Sequence, residues 1–353
     1  KEFLAYQKYM ELLKNEGIPV EGNFLGLATS FKATINEDEN SDIKIGILAE
    51  YDALPEIGHA CGHSANGALS FLAAIGLYKN KKNLKGNIYL IGTPGEEYNG
   101  SKTDMANSGM FDDFSYVIMI HVLDMNLPSA KFLALDAYDF EFFGRTSHAS
   151  ASPWNGKNAV NGMTLFIHAL DMMRQQLKDG TRIHGIIKKG GLAANIIPDY
   201  ASCQYWFRYK KKDYLEEVVK MVRDAANGCA QATQTSVKIT PATNALAELR
   251  PTPHTDIVIE QIYEELGANI DKNIIMTLGS SDIGNLSYRC PAFHPLISVS
   301  DTPVAVHTRE FAACMQTEKA KWAIVKGSKI ISSLIIRSLN DKSIIENMKK
   351  DFN

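Results

Sequence analysis

Three short apolar runs, at 43–48, 87–92 and 116–120, constrain this chain more than any other feature. Each is rich in isoleucine and only long enough for a strand buried on both faces. Between the first two lies 65–78, an alanine- and leucine-rich stretch with helical spacing. Strand, helix and strand in this order predict βαβ units and a mostly parallel sheet. Each run leads into residues that bind metals or move protons. The first reaches Glu50-Tyr51-Asp52 and then His59-Ala60-Cys61-Gly62-His63, the second Thr93-Pro94-Gly95-Glu96-Glu97, and the third His121. Ligands of open α/β sheets lie beyond the carboxyl ends of the strands. Parallel strands would therefore bring these groups to one crevice.

The chain has 353 residues, too many for one ordinary core and suited to two domains. Its opening segment, 3–13, has helical spacing, and 24–35 alternates like a strand. From about residue 138 the texture changes. The pattern predicts a strand at 139–144, a long helix at 159–177, strands at 182–189 and 200–208, a helix at 214–232 and a strand at 236–240. That βαββαβ order fits a four-stranded antiparallel sheet covered by two helices, a ferredoxin-like α+β unit. Beyond Pro251 the α/β texture returns, with a helix at 255–266, a strand at 297–300 and a closing helix at 318–339. The expected architecture is an α/β domain with a mostly parallel sheet and helices on both faces, formed by 1–136 and 246–353. A second domain, 137–245, is inserted into it.

Composition removes several function classes. Lys and Arg number 37 against 40 Asp and Glu, a net charge of −3, so there is no one-sign field of the kind nucleic acid needs. Hydrophobic residues make up 45% and charged residues 22%, which places the chain among globular proteins. The apolar runs fall well short of the ~20 residues of a membrane span, so no membrane partner is expected. No G-x-G-x-x-G or Walker pattern supports dinucleotide or P-loop chemistry. Five cysteines at irregular spacing do not form a disulfide framework. A reducing compartment follows, and a cytoplasmic location is expected. No basic region followed by an apolar stretch opens the chain, so no signal peptide is expected. The first residue, Lys1, stands inside a helix-like pattern, which suggests residues upstream.

The candidate groups each admit two or more readings. Cys61-Gly62-His63 offers a thiolate and an imidazole two residues apart, with a glycine for a sharp bend. It reads as a pair of metal ligands, as a thiol nucleophile with His63 or His59 as base, or as an ordinary buried cysteine and histidine. Glu96-Glu97 follows a Pro-Gly turn, where packing does not call for carboxylates. One would be a ligand and the other a general base, or both decorate a solvated helix N-terminus. His121 and His307 end apolar runs and are either ligands or satisfied core residues. His148, in Gly144-Arg145-Thr146-Ser147-His148-Ala149, follows the first strand of the insert. His168 and His184 sit within helix and strand patterns and read as structural, and the lysines at 210–212 as a solvated turn.

Together these motifs resemble a known family. His59-Ala60-Cys61-Gly62-His63, Gly95-Glu96-Glu97, His121, Gly144 with His148-Ala149, and Asn195-Ile196-Ile197-Pro198 stand in the order found in the aminoacylase/hippurate-hydrolase metallopeptidases, peptidase family M-twenty. The resemblance runs from about Gly46 to the C-terminal helix. It is strongest to the branch of aminobenzoyl-glutamate hydrolases, indole-acetyl-amino-acid hydrolases and Xaa-Arg-type dipeptidases. Ala49-Glu50-Tyr51-Asp52-Ala53-Leu54-Pro55 and Gly190-Gly191 ahead of Asn195 look most like its dipeptidase side. The resemblance implies a two-metal amidohydrolase that cleaves a dipeptide or N-acyl amino acid, with Zn²⁺ or Mn²⁺ as the ions. It implies Cys61, His63, Glu97, His121 and His307 as ligands, Glu96 as general base and Asp52 orienting a ligand. His148 would reach the substrate oxyanion of a neighbouring subunit, while Asn195 and Arg208 hold the substrate. The insert would then be a lid and the seat of a homodimer. Two departures stand out: Ser64, where much of the branch carries Asp or Asn, and Gly279-Ser280-Ser281-Asp282, where hippurate-type relatives read G-S-E-D. A cysteine-nucleophile hydrolase at Cys61 and a non-catalytic binding protein on the same fold are the competing functions.

Overall fold

A computed structural model describes residues 2–98, 100–271 and 279–353. In contacts the chain divides into two units, one made by the chain up to Phe132 together with that from Leu249 onward, the other by Leu133–Glu248. The first unit opens with α1 (Phe3–Asn15), β1 (Val20–Gly22), β2 (Phe31–Asn36), β3 (Lys44–Ala49), α2 (His63–Lys79) and β4 (Asn87–Gly92). It continues with α3 (Ser101–Asn107), β5 (Tyr116–Ile118) and β6 (His121–Leu123). The second unit holds β7 (Ala134–Phe143), α4 (Ala159–Met173), β8 (Arg182–Lys189), β9 (Tyr200–Tyr209), α5 (Lys212–Ala232) and β10 (Ser236–Pro241). The first unit resumes with α6 (Pro253–Glu265), α7 (Ile283–Leu286), β11 (Ala292–Phe293), β12 (Leu296–Ser298), α8 (Arg309–Cys314), α9 (Glu318–Asn340) and α10 (Lys342–Phe352).

Among the described residues of the first unit, one sheet has the order β1-β2-β4-β3-β5-β11. Strand β3 pairs in parallel with β4 and β5, and β11 pairs in parallel with β5, while β1 and β2 add an antiparallel edge. Its central strands are buried on both faces because alternate residues serve two cores. Ile45, Ile47, Ile88, Leu90, Tyr116 and Ile118 join the cluster formed with α2 and α9. Leu48, Tyr89, Ile91 and Val117 join the one formed with Met105 of α3 and with Ile283 and Leu286 of α7. Burying each such aliphatic chain contributes about 1.5–3 kcal/mol, so this layering fixes where the strand ends stand. The parallel α/β architecture with helices on both faces is as the sequence predicts.

The second unit is an antiparallel sheet, β10-β7-β9-β8, with α4 and α5 packed together on one side of it. Its βαββαβ order is also as predicted, and its bounds lie at 133 and 248 against the expected 137 and 245.

Three local expectations change. Residues 24–26 form a 3-10 turn with Leu25 in the left-handed region, so the strand expected from 24 starts at Phe31. The run 116–120 is not one strand. Strand β5 stops at Ile118, and β6 starts at His121 in a separate parallel pair with β12. Distant pairing partners impose that break, and periodicity does not report them. The closing helix at 318–339 is followed by a further one, α10, after Asp341, whose side chain accepts from the Ser343 N–H.

Candidate metal centre

The end of each central strand delivers one part of a polar cluster. After β3 the chain places Glu50 and Asp52, both fully buried. It then turns through Cys61 and Gly62 into α2, whose first residue is His63. Gly62 has φ +87°, a left-handed conformation that favours glycine, and a Cβ there would run into the Val122 side chain. The glycine between the two candidate ligands is therefore required by the turn. After β4, Thr93 ties the next loop back to β3 by donating from its N–H and its hydroxyl to the Ala49 carbonyl, at 2.8 and 3.1 Å. Gly95, at φ +68°, then reverses the chain to present Glu96 and Glu97. His121 arrives on β6. His307 arrives from the far side of the sequence with φ +63°, and its N–H donates to the Ala60 carbonyl at 2.8 Å. A left-handed conformation costs a residue with a side chain about 1–3 kcal/mol and collects at functional positions.

Asp52 organises two of these groups. Its Oδ1 lies 2.9 Å from His63 Nδ1, and its Oδ2 accepts from the Glu97 N–H at 3.0 Å. Burial alone would raise the Asp52 carboxyl, but these contacts and the His63 charge hold it below the usual range. With its Nδ1 engaged, His63 turns Nε2 inward, where that atom is buried and has no hydrogen-bond partner among the described residues. Glu50 Oε2 stands 3.6 Å from it and Glu96 Oε2 4.0 Å. Burial opposes a charge on His63, yet Glu50 and Asp52 outweigh it and raise the imidazole pKa well above its ordinary value. The pocket thus calls for positive charge at Nε2. His121 shows the same logic: its Nδ1 lies 2.7 Å from the Val122 carbonyl, leaving Nε2 3.7 Å from Cys61 Sγ. Burial lowers the His121 pKa to about 4, so its ring is neutral and able to ligate at pH 7. His307 Nε2 stands 3.5 Å from Glu97 Oε1, another buried atom without a hydrogen bond among the described residues.

Among the described residues, donor atoms within 4.8 Å of one another fall into three overlapping groups. These are Cys61, His63 and His121; Cys61, Glu97 and His307; and His63, Glu96 and Glu97. Thiolate, imidazole and carboxylate donors with orphaned atoms facing inward fit divalent ions such as Zn²⁺ or Mn²⁺. Burial pushes the Cys61 thiol up to about 12. That opposes a nucleophilic role, which needs a lowered pKa, whereas coordination to a cation deprotonates a thiol outright. Glu96 is raised well above the carboxylate range by burial and then by Glu50 and Asp282.

His148, Asn195 and Arg208 belong to the second unit. His148 Nδ1 accepts from the N–H groups of Ser150 and Ala151 at 3.3 and 3.2 Å. With Nδ1 accepting, Nε2 is the ring nitrogen that carries the hydrogen, on a residue that is exposed. The Ala149 N–H donates to the Asn195 carbonyl at 3.0 Å and the Ile197 N–H to the Ser147 carbonyl at 2.9 Å, so the two motifs lie side by side. Arg208 is on β9, over the Trp206 ring at 5.5 Å, and its Nε donates to His184 Nε2 at 3.4 Å. His184, read from the sequence as structural, thus meets a candidate substrate-binding residue.

Two groups escaped the sequence reading. Lys102, fully buried on α3, pairs with Glu50 Oε1 and Asp282 Oδ1, each at 2.6 Å. His294, 3% exposed, stacks on His121 with ring centroids 5.6 Å apart, and neither of its ring nitrogens has a hydrogen bond among the described residues. Neither residue stands in a motif with metal-ligand spacing.

Comparison with known proteins places this geometry in context. Residues 135–231 match the peptidase dimerisation domain of peptidase family M20. The chain is similar to the Xaa-Arg dipeptidase of Mus musculus, 29% identical over 338 residues that cover 93% of this chain and 78% of the relative. It is also similar to a p-aminobenzoyl-glutamate hydrolase subunit of Escherichia coli, 27% identical over 67% of this chain and 53% of that one. Among solved structures, a Bacillus subtilis protein described as a dinuclear metal binding peptidase from the M20 family superposes with a TM-score of 0.72. That match has 18% identity and covers 96% of this chain and 93% of the other, a likeness of fold.

Proposed function

We propose that this chain, which matches the M20 peptidase dimerisation domain and is similar over 93% of its length to a Xaa-Arg dipeptidase, is a metal-dependent amidohydrolase of the M20 family that hydrolyses the amide bond of a dipeptide or N-acyl amino acid at a two-metal site. One observation carries the proposal: the inward donor atoms of Cys61, His63, Glu97, His121 and His307 meet beside Glu96, with His63 Nε2 and Glu97 Oε1 buried and without a hydrogen bond among the described residues. Cys61 belongs both to the group with the two histidines and to the group with Glu97 and His307, so its thiolate would be within reach of either set of donors. Zn²⁺ and Mn²⁺ both suit this donor set. When bound, such ions would polarise an amide carbonyl and bring the pKa of a water towards neutrality.

Glu96 is the general base in this account. It is the carboxylate of the cluster left after the ligands are assigned, and its raised pKa suits a group that takes a proton from water and returns it to the leaving amine. Asp52 holds His63 in the tautomer that leaves Nε2 free. His148 offers Nε2–H to the oxyanion of a partner subunit's substrate, Asn195 holds the substrate backbone, and Arg208 takes a free carboxylate in its planar fork. The inserted unit would then serve as lid and dimerisation domain. Its edge strand β8 exposes Ile186 and Ile187, and Leu192 beyond it is 98% exposed, as an unpaired interface would be. The names of the relatives favour the dipeptidase and aminoacyl-hydrolase side of the family.

The test is amine release from a mixed panel of dipeptides and N-acyl amino acids, with Zn²⁺ or Mn²⁺ and again with chelator. Chelator-sensitive release is expected. Release that survives chelation and stops on alkylation would instead select the thiol nucleophile, and silence with metal bound would select a binding protein.

A further inference from the structure

Behind the ligands lies a buried ionic group that the proposed reaction does not touch. Lys102 Nζ donates to Glu50 Oε1 and to Asp282 Oδ1, each at 2.6 Å, and its backbone N–H donates to Asp282 Oδ2 at 3.1 Å. The other oxygen of Glu50, Oε2, accepts from Asn66 Nδ2 at 3.3 Å and faces His63 Nε2 at 3.6 Å. Asn66 Oδ1 in turn accepts from the Val122 N–H at 2.8 Å. Val122 is the residue whose carbonyl holds His121 Nδ1. Lys102, Glu50, Asp282 and Asn66 are all wholly buried.

A cation between two carboxylates, excluded from water, is an expensive way to fill space. Neutral or apolar side chains of similar volume often do as well or better for stability. What the ionic version adds is direction. Lys102 is pinned by three hydrogen bonds and pins one oxygen of Glu50, which leaves the other aimed at both imidazoles, directly at His63 and through Asn66 and Val122 at His121. Partners of this kind orient a metal ligand without touching the metal.

We propose that Lys102 is a positioning residue of the metal site, acting through Glu50 to fix where the ring nitrogens of His63 and His121 stand and to direct one carboxylate charge toward them. The proposal rests on the metal-site reading given above.

Two variants test it: Lys102→Met, and the neutral triple Lys102→Met/Glu50→Gln/Asp282→Asn. Each is stripped with chelator, titrated with Zn²⁺ by calorimetry, melted, and assayed for kcat and KM on the fastest dipeptide of the wild type. Lys102→Met leaves two carboxylates facing each other, so it should melt lower and bind Zn²⁺ more weakly by about tenfold or more. Its kcat should fall while KM changes little. The triple variant has no unmatched charge and should recover its melting temperature but not its Zn²⁺ affinity. Should Lys102→Met fail to fold, the triple variant alone decides. A triple variant that melts and binds Zn²⁺ like the wild type overturns the proposal, since the group would then serve stability only. Wild-type protein that takes up no Zn²⁺ overturns the metal-site reading itself, and this proposal with it; normal uptake by wild type and variants alike overturns this proposal alone.

Discussion

At the scale of single residues, Cys61 carries the sharpest consequence. Burial pushes its thiol up to about 12, while a ligand must be thiolate, so binding an ion releases a proton throughout the neutral range. Metal affinity should fall by at least about tenfold for each unit that pH drops between 8 and 6. In Cys61→Ser the affinity should be lower throughout and that slope shallower. Calorimetric titration at three pH values reads both, and a flat wild-type affinity would contradict ligation by this thiol. The candidate ligands stand after apolar runs or near Gly turns, where each could equally be a satisfied core residue, and it was the resemblance of the combined motifs to a known family that singled them out. Lys102 was not legible. It stands among Ser, Thr and Asp in a seven-residue helix, which reads as a solvated face, and its two partners lie 52 and 180 residues away. His294 was hidden for a similar reason: in Ala292-Phe293-His294-Pro295 nothing marks a ring stacked on His121.

At the scale of elements, strands and helices with a continuous apolar pattern were legible and their ends were not. The double burial of β3 and β4 follows from unbroken Ile and Leu runs, whereas the division of 116–123 between two sheets depends on the pairing of β6 with residues 296–298. Helix α6 yields a prediction of another kind. Asp256 in its first turn accepts from the Thr252 hydroxyl at 2.9 Å, and burial raises its carboxyl to about 6, with Asp351 and Glu260 adding to the rise. The folded pKa exceeds the unfolded value of about 3.9. The folded state therefore binds the proton more tightly, and this group's contribution to stability is full below about pH 4 and lost as pH rises through 6. Asp256→Asn should melt above the wild type at pH 8, by about 1–2 kcal/mol of stability, with the difference closing by pH 4. Thermal unfolding across that range checks it, and an equal or lower melting temperature at pH 8 would show that the ionised carboxylate is better satisfied than its burial implies.

At the scale of the whole molecule, the division into an α/β unit and an inserted α+β unit was legible because the apolar period switches near residue 138 and back near Pro251. What the insert does was not legible from periodicity; its apolar edge strand and the match to a dimerisation domain supply that reading. Ile186→Lys/Ile187→Lys should convert a dimer to a monomer in sedimentation. Activity should fall with it, since His148 is proposed to act on the partner's substrate; an unchanged dimer would move the interface elsewhere. The central claim is that Glu96 moves protons beside two metal ions that its neighbours would hold, and Glu96→Gln tests it most directly. The substitution keeps shape and removes the proton carrier. Metal binding by calorimetry and single-turnover amine release should be measured on the same preparation. The account predicts that the variant binds metal like the wild type and loses a factor of about 10³ or more in turnover. Turnover within a few-fold of the wild type, with metal bound, would contradict it.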